Sequence, residues 1–240
     1  MTKILDQNQI RVSGSSDQYD EEVARIANFV LRTVVGKAIA VKIKAHGEVW
    51  ITDDYNGIDS REINADFQPS LSSKKMGIIG FHPHNHHLNT VEVVFNGNPI
   101  SPKQLENIHK HSPGQKPDEI LCHEMLHAAR YLGGDYKKTP IPKMPEYENE
   151  EEYFAILVTN IYSSELKRGV ESFRKSHHIA YKPEMNQVDV APFVFLGDAE
   201  NRRLVEKFCD QHPTIAPMIA QSSATFNPIR DYYALAGAAG

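Results

Sequence analysis

Cysteine is scarce in this chain, with two residues, Cys122 and Cys209, in 240. Two thiols cannot staple a fold of this size, which excludes a disulfide framework and points to a reducing compartment. Long apolar runs are missing too. The longest aliphatic one, residues 155–158 inside EEYFAILVTNIY, falls far short of the roughly 20 residues a spanning helix needs, so no membrane span is expected. The opening stretch MTKILDQNQIRVSGSSDQYDEE carries one early lysine and no apolar core. It predicts no cleavable signal peptide and synthesis in the cytoplasm, with any export by a specialised secretion system. Positive charge is not in excess: 26 Lys and Arg stand against 31 Asp and Glu, for a net charge of −5. That balance argues against a nucleic-acid partner, which calls for a basic face. The chain also lacks GxSxG, GxxxxGK[ST] and CxxC, leaving serine-hydrolase, P-loop and redox readings without a starting residue.

What is present is ordinary globular material, 40% hydrophobic and 24% charged, which excludes disorder and low-complexity fibres. A chain this long buries roughly 70% of its unfolded surface and folds without a staple. Residues 1–18 read as a flexible polar lead and 19–240 as one domain, with no internal repeat and no dividing linker. From Asp20 the spacing of Val23, Ile26, Ala27, Val30, Leu31 and Val34 predicts a helix closed by Gly36. Four β-branched or alternating runs follow, at 38–45, 48–53, 76–81 and 91–95, and read as strands. Helices are expected at 102–110, 118–132, 149–167 and 198–211, an irregular stretch at 168–196, and a loose tail at the end. The order predicts an α+β fold: a mixed sheet first, then a mostly helical second half.

One pattern carries chemistry. His123-Glu124-Met125-Leu126-His127 is HExxH, inside the helix expected at 118–132. Pro117 suits its first position, Gly133-Gly134 its end, and Leu121, Met125, Ala128 and Leu132 form one apolar stripe. Residues four apart share a helix face, so the imidazoles of His123 and His127 can converge on one metal ion. Glu124 projects beside them, placed to take a proton from a water on the metal. Zinc with three protein ligands keeps a fourth position for that water and lowers its pKa to about 7.

The segment PDEILCHEMLHAARYLGG resembles the active-site helix of the HExxH zinc metalloproteases. The resemblance implies a zincin-like fold, a Zn²⁺ cofactor, a protein substrate and Glu124 as general base. A third histidine six residues after His127 would mark one branch, but Gly133 stands there. The other, gluzincin-like, branch takes a glutamate from a following helix, and Glu146, Glu148, Glu150, Glu151 and Glu152 are the candidates. Glu151 is favoured because Ala155, one turn on, is small enough for close helix approach, and Glu152 is the second choice. EEYFAILVTNIY and RKSHH are similar to segments of bacterial secreted effector or toxin metallopeptidases. That likeness implies a host or competitor protein as substrate and a secretion chaperone or immunity protein as partner. A catalytically silent zinc-containing binding domain, or a metal hydrolase of another amide, is the alternative.

Such proteases also need a donor to the developing oxyanion. Arg174, His177, His178 and Tyr181 form a dense group of donors, with His178 and Tyr181 preferred. His82, His84, His86 and His87 form a histidine-rich tract that reads as a second metal site or as a solvated loop. Residues 91–95 are expected to be an edge strand that holds substrate by strand addition. Cys122 lies about 100° around the helix from His123 and reads as packed rather than ligating.

Overall fold

Ile10 and Val12 are fully buried while Arg11 between them is not, the period-two pattern of a strand with one face on a core. In the computed structural model, which describes residues 3–5, 9–53, 65–81, 83, 94–95, 98–99, 116–168, 174 and 192–238, that strand lies within the main sheet. Within the stretch expected to be a flexible lead, β1 (Lys3–Leu5) and β2 (Ile10–Val12) pair with each other. Burial of Ile10 and Val12 outweighs the polar composition around them.

Helix α1 (Asp17–Leu31) begins at Ser16, whose side chain accepts from Tyr19 N. The chain then departs from expectation. Gly36 closes nothing, and 38–45 is no strand: α2 (Val34–His46) occupies this region. Thr33 starts it, its hydroxyl accepting from Gly36 N at 2.9 Å while donating to Val30 O at 2.7 Å. The β-branched residues favour a strand locally, but Val35, Ile39 and Ile43 also recur every four residues, and their complete burial decides the outcome.

β3 (Glu48–Thr52), β4 (Ala65–Pro69) and β5 (Met76–Phe81) complete a five-stranded mixed sheet ordered β1-β2-β3-β5-β4. β2, β3 and β5 run parallel, whereas β1 and β4 are antiparallel to their neighbours. β4 was not anticipated, and among the described residues it ends the sheet. Within 91–95 only β6 (Val94–Phe95) is described, pairing with β7 (Asn98–Pro99) in a separate two-stranded hairpin. The expected helix at 102–110 lies outside the described residues.

Helix α3 (Pro117–Leu132) packs on β4, β5, α1, α2 and α4 (Glu150–Glu165), so it is buried nearly all round. Close approach to the sheet depends on Gly77 of β5. A Cβ there would lie 2.9 Å from Phe67 Cε2 and 3.5 Å from Ala128 Cβ. Arg168, just beyond α4, ties the two helices together, donating to Asp118 at 2.8 Å and Glu119 at 2.6 Å. Helices α5 (Pro192–Phe195), α6 (Ala199–Gln211), α7 (Ala216–Ala220) and α8 (Pro228–Ala238) follow. The expected loose tail is corrected in part, since Ile229 of α8 is fully buried. The fold class is α+β, as the sequence predicts.

Candidate metal centre

His123 and His127 sit one turn apart in α3, 2% and 4% exposed, their ring planes at 85° and centroids 4.7 Å apart. Their Nε2 atoms approach to 3.1 Å. The Glu152 carboxylate, from the first turn of α4, lies 3.3 Å from His123 Nε2 and 3.4 Å from His127 Nε2. Asn149 fixes that turn by accepting from Glu152 N at 3.1 Å. The three residues form a buried group that can hold a metal ion.

Ligand bonds of 2.0–2.1 Å in tetrahedral geometry place ligand atoms about 3.3–3.4 Å apart. The two Nε2 atoms, 3.1 Å apart, lie just inside that edge, and Glu152 offers Oε2 to His123 at 3.3 Å and Oε1 to His127 at 3.4 Å. Two imidazole nitrogens and a carboxylate are the donors zinc takes in open three-ligand sites.

Glu151, the favoured third ligand, stands outside this group, and Glu152, the second choice, stands within it. Glu151 is fully buried but lies on the other side of His127, with Oε1 3.1 Å from Nδ1 rather than beside Nε2. Arg130 Nε donates to both of its oxygens, at 3.0 and 2.9 Å. A carboxylate so held can only accept, so Nδ1 of His127 donates to it, leaving Nε2 as the nitrogen that faces Glu152 and His123. Successive helical residues point about 100° apart, so adjacent glutamates take different tasks. Ala155 does not discriminate between them, whereas the position of Arg130 does. Glu150 pairs with Lys207 at 2.5 Å, and Glu146 and Glu148 precede the helix.

Arg130 anchors a wider buried network. Its Nη1 meets His212 Nε2 and donates to Gln211 at 3.3 Å, and its Nη2 donates to the Asp135 carbonyl at 2.9 Å. His212 Nδ1 lies 2.9 Å from Lys42 Nζ, which pairs with Asp135 at 2.6 Å. Arg130 was overlooked in the sequence. Its signal was a lone arginine in a helix otherwise apolar or ligand-bearing after Glu124, a position that demands a buried partner.

Electrostatics separates the site residues. Burial pushes the Glu124 carboxyl up to about 7, against the His127 charge and a hydrogen bond from the Phe67 backbone N–H. Burial lowers His123 to about 3 although Glu152 opposes it. Burial also disfavours a charged His127, but Glu151 and Glu152 outweigh it and raise that imidazole to about 10. For Glu152 burial acts upward, yet His123 and His127 together hold the carboxyl well below the usual range.

Of the expected oxyanion donors, His177, His178 and Tyr181 lie outside the described residues, as do His82, His84, His86 and His87. Arg174 is described and buried. Asn160, about two turns beyond Glu152 on α4, clasps its backbone: Nδ2 donates to Arg174 O at 2.8 Å and Oδ1 accepts from Arg174 N at 2.9 Å. The Arg174 charge acts on Glu124, Glu152 and His123. Cys122 is fully buried and outside the metal-capable group, as expected for a packed thiol. No family model, curated protein or solved structure matches this chain.

Proposed function

We propose that the protein is a zinc-dependent endopeptidase that hydrolyses peptide bonds of a protein substrate, with His123, His127 and Glu152 as the metal ligands. The observation that carries this reading is the buried trio at 3.1–3.4 Å, next to a carboxyl raised to about 7. Bound there, zinc would polarise a carbonyl and acidify a water. Glu124 takes the proton from the attacking water and returns it to the leaving amine, work suited to a carboxyl near neutrality. Among the described residues β4 is the terminal strand of the sheet, and its Phe67 N–H bonds Glu124, so a peptide added alongside β4 would run past the general base. Delivery as a bacterial effector or toxin, with a chaperone or immunity partner, is proposed on the resemblance alone.

The depth of burial favours one second reading, a structural zinc domain without catalysis. Glu124→Gln separates the two. The endopeptidase reading expects about one zinc per chain in wild type and in Glu124→Gln, but cleavage of a protein-derived peptide library by wild type only. Zinc-loaded wild type that cleaves nothing, or equal cleavage by Glu124→Gln, rejects it.

A further inference from the structure

Beyond α3 the chain reverses at Gly134, whose φ of +79° lies in the left-handed region open to glycine. Arg130 pins the reversal from both sides. Its backbone carbonyl accepts from Asp135 N at 2.8 Å, and its Nη2 donates to the Asp135 carbonyl at 2.9 Å. The next residue, Tyr136, is thereby turned back onto the site. Its half-buried ring stands edge-on to His127, with centroids 6.0 Å apart at 79°, and against Phe67 of β4 at 5.7 Å and 62°. A phenol is thus wedged between a proposed ligand and the sheet edge.

Lys138 completes the arrangement. Its Nζ is 5.9 Å from the Tyr136 ring centroid, and its positive charge acts on the phenol. The charges of Glu151 and Glu152 act on the phenol, and those of Glu152 and Asp66 on the ammonium. The Tyr136 ring therefore borders the space between His127 and β4, where the carbonyl of a strand-bound peptide would lie.

We propose that Tyr136, polarised by Lys138, donates a hydrogen bond to the peptide carbonyl oxygen as negative charge develops on it beside His123, His127 and Glu152. This assignment rests on the hydrolase reading above. As water oxygen bonds to the carbonyl carbon, Glu124 takes the water proton and the carbonyl π pair moves to oxygen. Tyr136 steadies that oxygen without giving up its proton. When the pair returns, the C–N bond breaks and Glu124 protonates the amine. The donor thus comes from the turn between the ligand-bearing helices, upstream of the His178 and Tyr181 preferred from sequence.

The test uses the full chain loaded with cobalt(II), whose visible spectrum reports an oxyanion bound at the metal, with inorganic phosphate as probe. Tyr136→Phe should keep cobalt stoichiometry and thermal midpoint while binding phosphate about tenfold more weakly, the loss of one charge-assisted hydrogen bond. Lys138→Met should weaken phosphate by a smaller factor. Against a cleaved peptide, Tyr136→Phe should lower kcat about 10²–10³-fold with little change in KM, as for other oxyanion donors. Unchanged phosphate affinity in a folded, cobalt-loaded Tyr136→Phe overturns the assignment. Weakened phosphate binding with no cleavage by any form overturns the hydrolase reading instead and leaves Tyr136 as an oxyanion donor.

Discussion

Glu151 Oε1 lies 3.1 Å from His127 Nδ1, and Arg130 Nε holds both oxygens of the same carboxylate. Two adjacent glutamates thus serve one imidazole at opposite nitrogens: Glu151 meets Nδ1 and Glu152 lies beside Nε2.

That division predicts unequal losses. Glu151→Gln should weaken zinc binding about 10–100-fold, the usual effect of altering a partner that orients a ligand. Glu152→Gln should weaken it further by removing a ligating charge. Competition against a chromophoric chelator ranks the two, and the reverse ranking would return the ligand role to Glu151.

The Arg130–Glu151 pair also bears on stability. Arg130 is 1% exposed and its guanidinium lies 4.5 Å from the Phe154 ring centroid. Arg130→Met leaves the Glu151 charge buried without its cation and should cost about 3–5 kcal/mol in urea unfolding. Combining it with Glu151→Leu should recover much of that loss, because the stranded charge goes too.

Metal uptake should depend on pH with a definite sign. In the metal-free site Glu151 and Glu152 raise His127 to about 10 against the effect of burial, so it carries a proton at neutral pH. His123, lowered to about 3, does not. A metal must displace the His127 proton, so affinity should rise with pH through the neutral range and level off near pH 10. Calorimetry in two buffers of different ionisation enthalpy should find about one proton released per zinc. Zero would mean that His127 is neutral before metal arrives.

Both thiols should be inert in the native state. Burial pushes Cys122 well above its ordinary value and Cys209 up to about 11. Neither should react appreciably with a disulfide reagent at pH 8, whereas both should titrate in denaturant, because the thiolate is the nucleophile. Rapid native reaction of Cys122 would mean that α3 opens.

The ligand-bearing helix was legible because each of its signals is local: Pro117 at the first position, Gly133 at the end, and two histidines four apart. The strands at 48–52 and 76–81 were legible for the same reason. At 34–46 local signals conflicted, since the β-branched residues suit a strand while their four-residue recurrence suits a helix. Among residues 65–69 only Phe67 is buried, too little apolar content to announce β4.

Sequence alone determined that two imidazoles would share a face with a carboxylate beside them, because helical periodicity follows from backbone geometry. That a glutamate from the next long helix would join them was implied by the resemblance of the HExxH segment. Which glutamate, which partner for Nδ1 and which strand forms the edge were decided only in three dimensions. Those choices depend on helices meeting across 24 residues of chain, from His127 to Glu151, and on Arg130 claiming one of two neighbouring carboxylates. A buried charge takes the partner that packing brings within reach, and residue order does not encode that distance.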